Sequence, residues 1–289
     1  MSTTTATAHL IDSTSAPRAA DAFVERPARH GASVTGAALA YAGRTLRQFV
    51  RTPQLLVVNS AISIMFLLIF RYVFGGAIGT GPVAYADFLI PGLAAAGAFF
   101  SGTGAAVGVA SDVESGTFDR LRSLPIHRGA VLLGRSLADT ALGAWSLFVT
   151  VVVGLLVGFR FHGSLTDAVV AAALCVVFAA AFTWPFIWMG LIAGNEQAAN
   201  GMGFMAFPLV FVSSLYVPVE SMPGWLQTFA EHQPVTVMVN AVRAYAIGDD
   251  AAGAVLAHSA GWYALRALLW SVVIGAVFAP LAVRRFARS

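Results

Sequence analysis

Residues 168–193 read AVVAAALCVVFAAAFTWPFIWMGLIA, 26 residues without one charged side chain. A helix needs about 20 mostly apolar residues to cross the roughly 30 Å hydrocarbon layer of a bilayer, and this stretch exceeds that length. Working outward, the windows Leu55–Phe74, Phe88–Ala110, Leu137–Phe159, Gly201–Val217 and Tyr263–Val283 repeat the pattern, which with Ala168–Ala193 makes six expected spans. The whole chain agrees: 58% hydrophobic residues, 28 Gly among 289 residues and a mean hydropathy of +0.77 do not describe a soluble globule. Barrel strands would alternate with period two over about 10 residues, a pattern these windows lack. The expected fold class is an all-α polytopic membrane protein with six transmembrane helices.

Between two of these windows, residues 111–139 read SDVESGTFDRLRSLPIHRGAVLLGRSLAD, with three Asp, one Glu and four Arg in a chain that is 11% charged. Arginine collects on the cytoplasmic side during insertion, so this island is placed inside. Gly116 breaks the preceding helix, Thr117 is a good N-cap, and Pro125 closes a short helix after Leu124. On that helix Leu121 and Leu124 suit an apolar notch on a partner, and Glu114, Asp119, Arg120 and Arg122 offer charge pairing at its rim. The plainer alternative is a solvated, unengaged loop.

All 17 basic residues are arginine. Six spans with both termini inside put Arg18, Arg26, Arg29, Arg44, Arg47, Arg51, Arg120, Arg122, Arg128, Arg135, Arg284, Arg285 and Arg288 on the cytoplasmic side. Arg71, Arg160, Arg243 and Arg266 fall outside or near the outer ends. A phosphate-binding loop of the form G-x-x-x-x-G-K-[ST] requires lysine, so any use of ATP has to come from a partner. The formal charge of +3 is explained by anionic lipid at the inner leaflet, and nucleic acid is not expected as a partner. Cys175 is the sole cysteine and lies in an apolar span; the six His lack the i, i+4 spacing of a helical metal site. No metal is expected.

Residues 1–32, rich in Ala, Ser, Thr and Pro, form an expected disordered cytoplasmic tail without the features of a signal peptide. From Ser33 to Arg51 the pattern is helical, with Ala38, Leu39, Ala42, Leu46, Phe49 and Val50 on one arc and Arg44, Arg47 and Arg51 on the other. Such an amphipathic helix lies flat at the inner interface, and Pro53 then suits the first turn of the next helix. None of the six spans carries Asp or Glu near its centre, which counts against a proton- or ion-coupled carrier. Gly104/Gly108, Gly154/Gly158 and Gly190/Gly194 permit close helix approach within the chain. Phe66, Phe70, Phe99, Phe100, Phe204, Phe207 and Phe211 are either bulk or the lining of a path for a planar hydrophobic cargo. Pro91, Pro185, Pro208 and Pro280 interrupt apolar stretches and mark hinge points.

Pro218–Trp262 is too long for a turn and too polar for a span, so it lies outside. Two short helices, Pro223–His232 and Val235–Gly248, flank Pro234 and form a re-entrant pair. Met222, Trp225, Leu226, Phe229, Val237, Val239 and Val242 are expected to dip into the outer leaflet, with Trp225 and Trp262 as interface anchors.

GTFDRLRSLPIHRGAVLLGRSLAD, then GFRFHGSL at 158–165, VPVESMPGWLQTFAEHQPVTVMVNAVRAYAIG at 217–248 and an Arg-rich end together resemble the permease subunit of ABC-2 exporters. The similarity is greatest to the daunorubicin/doxorubicin-resistance branch and covers roughly Ser33 to Arg288, leaving 33–289 as one permease domain. The resemblance implies a permease paired with a second copy or close relative and driven by two separate ATPase subunits, which hold the ATP and Mg. It makes Ser33–Arg51 the interface helix and Thr117–Pro125 the coupling helix seated in a cleft of the ATPase. It makes Pro218–Gly248 an external cap, with Pro223, Trp225, Pro234 and Arg243 as its marked residues, and implies that no residue of this chain is catalytic. The implied activity is export of a hydrophobic, drug-like molecule through the cell membrane. The alternatives are a lipid or lipid-linked polymer as cargo, or a membrane enzyme or scaffold that does not transport.

Overall fold

The computed structural model describes residues 33–118 and 128–288. Its elements are α1 (Val34–Arg51), α2 (Pro53–Leu68), α3 (Tyr85–Glu114), α4 (Arg128–Leu156), α5 (Leu165–Ala193) and α6 (Glu196–Phe204). There follow α7 (Phe207–Phe211), α8 (Gly224–His232), α9 (Pro234–Ile247), α10 (Asp249–Val255) and α11 (Ala260–Arg288). No β-strand occurs among the described residues, and the all-helical expectation holds.

Four helices, α3, α4, α5 and α11, are long and apolar enough to cross a membrane. The sequence windows anticipated all four and placed each start too far inward, by three to nine residues. Helix α4, for example, runs through Arg135 and Asp139 before reaching the apolar stretch. Local chemistry fixes several termini. Ser164 and Asp167 form a reciprocal capping box at the start of α5, and Gly194, with φ 75°, ends it in the left-handed region that a side chain disfavours.

The other two expected spans differ from plain helices. The first is α2 followed by wider π-helical turns over Ile69–Phe74. The fifth, Gly201–Val217, is not one helix at all: α6 stops at Phe204, α7 lasts only to Phe211, and the chain then turns through Val212–Tyr216. Pro208 has no N–H to continue a helix from α6, and bare carbonyls in an apolar interior require donors. Side chains supply them. Gln233 Nε2 donates to Leu209 O at 3.0 Å, Ser213 Oγ to Val210 O at 2.5 Å, and Arg243 Nη2 to Ser214 O at 2.9 Å.

Helix α3 is the central post, packed by α4, α5, α6 and α9, and most of its residues from Tyr85 to Ala110 are buried. Close approach depends on small residues. A side chain at Gly190 would run into the Ala106 backbone of α3, and one at Gly154 into Ile90. Gly108 lies directly under the guanidinium of Arg135, so three of the glycines expected to pack inside the chain do so.

The segment after the broken span also departs from expectation. Helix α9 does not dip into lipid: Val237 and Val239 are fully buried, Val242 nearly so, and the helix packs on α3, α5 and α11. Its one charge, Arg243, is satisfied internally, which removes the reason to hold this helix at a surface. Helix α8 keeps the amphipathic character expected of it, with Trp225 and Phe229 exposed.

Candidate functional site

Three features stand out, and all depend on α3. The first is a cavity of about 250 Å³ between α2, α3, α6 and α7. Phe66, Phe100, Phe204, Phe207 and Tyr216 give it aromatic walls, while Ser63, Thr103, Ser146 and Asn200 offer neutral polar groups. No charged side chain lines it. The rings form one connected series: Phe100 and Phe204 on Phe207 at 4.7 and 5.4 Å, Phe207 to Tyr216 by way of Phe211, and Phe70 on Tyr216 at 4.0 Å. The break between α6 and α7 creates this wall, because a straight helix would present one narrow stripe where α6, α7 and the following turn converge three aromatic groups.

The second is a polar cluster joining α1, α3 and α4. Arg135 Nε donates to Asp139 Oδ2 at 2.7 Å, one helical turn away, and Arg135 Nη2 donates to Gly104 O at 2.9 Å. Asp139 is fully buried. Nearby, Tyr41 Oη donates to Asp112 Oδ2 at 2.5 Å, and Arg44 lies 3.8 Å from the same carboxylate. Burial, reinforced by the charge of Asp112, pushes the Tyr41 phenol well above its ordinary value and keeps it a neutral donor.

The third is Arg243, fully buried beneath the far end of α3. Its Nε donates to Phe88 O at 2.9 Å, Nη1 to Asn240 Oδ1 at 2.7 Å and Nη2 to Ser214 O at 2.9 Å. The guanidinium rests 3.5 Å from the centre of the Phe88 ring. No carboxylate among the described residues forms an ion pair with it; carbonyl dipoles and a ring face carry the charge.

These features occupy a stretch with known relatives. The ABC-2 type transporter family matches residues 37–246, which takes in α1 through α9. The chain belongs to the ABC-2 type transporter family. Among ABC-2 relatives, the daunorubicin resistance ABC transporter permease protein DrrB1 of Streptomyces coeruleorubidus is 32% identical over 91% of this chain and 89% of its own length. The probable doxorubicin resistance ABC transporter permease protein DrrC of Mycobacterium tuberculosis is 29% identical over 68% of each chain. A more distant one, the putative transport permease ycf38 of Cyanophora paradoxa, is 22% identical over 69% of this chain and 70% of its own.

Within this ABC-2 chain, four of the seven singled-out phenylalanines, Phe66, Phe100, Phe204 and Phe207, line the cavity. Phe70 and Phe211 adjoin it through Tyr216. Phe99 does not: it points the other way, into a cluster with Phe178, Phe182 and Phe186. Adjacent residues on a helix point in different directions, and here Phe100 faces the cavity while Phe99 faces α5.

Of the coupling segment, Glu114, Gly116 and Thr117 are described. The Glu114 carboxylate accepts the Glu196 backbone N–H at 3.3 Å, at the start of α6. Gly116 has φ +67°, the turn that ends α3, and Thr117 Oγ1 lies 2.9 Å from Ser115 Oγ. Asp119, Arg120, Leu121, Arg122, Leu124 and Pro125 lie outside the described residues. So does the tail, 1–32.

Of the interface-helix arginines, Arg44 faces Asp112, Arg47 Nε donates to Gly43 O at 2.9 Å, and Arg51 is exposed. The apolar arc of α1 is divided. Ala38 and Ala42 press on α4 together with Tyr41 and Thr45, whereas Leu39 and Val50 are exposed. Of the residues expected in an external cap, Pro223 precedes α8 as its cap, Pro234 begins α9, and Trp225 is exposed. Arg243 belongs to the interior, a correction to its place among the cap residues.

Sequence reading missed Tyr216, Asn200, the Arg135–Asp139 pair and Phe118. An Arg and an Asp four apart in one helix was a usable signal for the pair. Phe118 is buried edge-to-face on Phe286 at 4.9 Å. One large apolar ring in a charged stretch requires a place to bury itself, and that was its signal.

Proposed function

We propose that this ABC-2 protein is the membrane permease subunit of an ATP-driven exporter, and that its cargo is a planar, hydrophobic, drug-like molecule. The observation that carries this reading is the aromatic cavity: ring faces for a flat polycyclic body, hydroxyls and one amide for its oxygen substituents, and no fixed charge to desolvate. The named roles of the drug-resistance relatives support the same cargo class.

In this reading the chain crosses the plasma membrane six times with both termini in the cytoplasm. The first crossing uses α2 and its π-helical turns, and the fifth uses the broken path of α6 and α7. A second permease copy or close relative and two ATPase subunits complete the exporter, with ATP and Mg bound on the ATPases. The segment 117–125 docks in the ATPase, and Arg44, Arg47 and Arg51 hold α1 at the anionic inner surface. Displacement of that segment reaches the cavity through Glu114, which caps α6, whose residues Asn200, Gly203 and Phe204 form part of the wall. The outer loop with Pro223, Trp225 and Pro234 closes the exit.

The test is reconstitution of the chain with its ATPase and measurement of cargo-stimulated ATP hydrolysis. Phe100→Ala and Phe207→Ala are expected to raise the half-stimulating concentration of a planar aromatic drug by about tenfold each, a ring contact's worth of binding. The proposal fails if both variants respond as the parent does, or if a lipid-linked polymer stimulates hydrolysis and aromatic drugs do not.

A further inference from the structure

A second cavity lies on the opposite side of α3. It is a groove of about 490 Å³ between α4 and α5, floored by Ile90, Pro91 and Ala94 of α3. Val151 and Leu155 form one wall; Ala168 and Ala172 form the other. The residues beside both walls are apolar and exposed, Val152 and Leu156 on α4 and Leu165 and Val169 on α5, as befits surface that faces hydrocarbon. The groove is therefore an apolar slot opening sideways into the bilayer. Its aromatic and hydroxyl groups, Phe159, Phe161 and Ser164, gather at one end, and the lining along these walls and floor is aliphatic.

The polar end of the groove has a defined chemistry. Arg160 follows α4, and its Nη1 donates to Leu155 O at 2.9 Å and Phe159 O at 2.8 Å, both carbonyls of groove-lining residues. These bonds fix the guanidinium at the mouth and leave Nε and Nη2 without an acceptor among the described residues. Two carboxylates are held at the same end of the groove, one by the Arg160 main chain and one by the lining residue Ser164. Asp87 accepts the Arg160 backbone N–H at 3.0 Å through Oδ1, and Asp167 accepts from Ser164 through Oδ2, so each keeps a free oxygen.

We infer that this groove is a binding site for one acyl chain of an amine-bearing zwitterionic phospholipid. The lipid's phosphate sits on Arg160 and its ammonium faces Asp87 and Asp167. Charge decides the headgroup: one guanidinium with two carboxylates disfavours a lipid carrying net negative charge and suits one that brings both signs. The site is on the Arg160 side of the membrane, the outer leaflet under the topology proposed above. It is separate from the cargo cavity, so it stands or falls without that reading.

The test is native mass spectrometry of the full chain. The protein is extracted from nanodiscs containing equal phosphatidylethanolamine and phosphatidylglycerol. The parent is expected to retain phosphatidylethanolamine over phosphatidylglycerol, and Arg160→Gln to lower that retention about tenfold, the share of one charge-assisted contact. Ala172→Phe fills the groove from an exposed position and is expected to abolish retention; Val151→Phe does the same from the opposite wall should the first variant fold poorly. Equal retention of the two lipids by the parent, or undiminished retention in whichever filled variant folds, overturns the assignment. So does cross-linking between two copies through Ala172→Cys in a Cys175→Ser background, since a second chain would then occupy the groove.

Discussion

Replacing Arg243 is the most informative perturbation. Truncation to alanine strips donors from two main-chain carbonyls, Phe88 O and Ser214 O, while Asn240 Oδ1 keeps the Ser214 hydroxyl at 2.8 Å. Each orphaned buried carbonyl costs about 1–3 kcal/mol, and the ring contact at 3.5 Å about another 1–2 kcal/mol. Against this, removing a buried charge that has no carboxylate partner returns part of its desolvation cost. The balance is a loss of about 3–4 kcal/mol, or roughly 10 °C in Tm at about 3 °C per kcal/mol. Arg243→Lys keeps the charge and loses the planar fork, so about half that loss is expected. Arg243→Met keeps the stem's packing and removes the charge, and should fall between the two. The assay is thermal unfolding of the detergent-solubilised chain, followed by size-exclusion chromatography. An Arg243→Ala protein melting within about 2 °C of the parent would refute the claim that this side chain holds the broken span together.

Asp139→Asn leaves the buried Arg135 without a countercharge and is expected to destabilise by about 3–5 kcal/mol, whereas the double change Arg135→Met with Asp139→Leu should recover most of it; non-recovery in thermal unfolding contradicts a purely structural pair. Because burial raises the Tyr41 phenol, its contribution is fully present below about pH 10, the ordinary tyrosine value, and declines as pH rises past it. Hydrogen exchange in α1 should therefore quicken above that pH in the parent, and at neutral pH in Tyr41→Phe; indifference to both would remove the Tyr41–Asp112 contact from the account. Leu121→Asp is expected to weaken pull-down of the ATPase by about two decades while Arg122→Ala, at an exposed rim, costs about 0–1 kcal/mol. Equal behaviour of those two at normal membrane abundance rejects the docking role of 117–125.

The long elements were legible in the sequence because a bilayer imposes a length. The run at 168–193 is α5 with only its first turn missing. What was not legible follows from partners brought in from elsewhere in the chain. Gly201–Val217 has a span's composition, but Gln233 and Arg243, distant in sequence, stabilise a break there that no local pattern encodes. Arg243 looked like a surface residue because its acceptors are two backbone carbonyls and a neutral amide, with no carboxylate to mark a buried partner. The aromatic path was half legible: helical spacing put Phe204, Phe207 and Phe211 on one side, yet Tyr216 joined them only after the chain turned. Asp139 escaped notice because it lies in the first turn of the expected span, two residues after Leu137, where a carboxylate passes for a surface group.

The Phe118–Phe286 contact has a practical consequence. Phe286 lies in the last turn of α11, so that turn acts as an anvil for the segment that follows α3. Reporter proteins and purification handles are habitually fused at that end. Joined directly after α11, a bulky fusion would press on the ring that seats Phe118 and shift the base of the segment; a flexible spacer of about ten residues keeps it clear. The same proximity makes the site useful: a small fluorophore on the final turn would sense movement at Phe118 and so record, from the tail of the chain, events that begin at its middle.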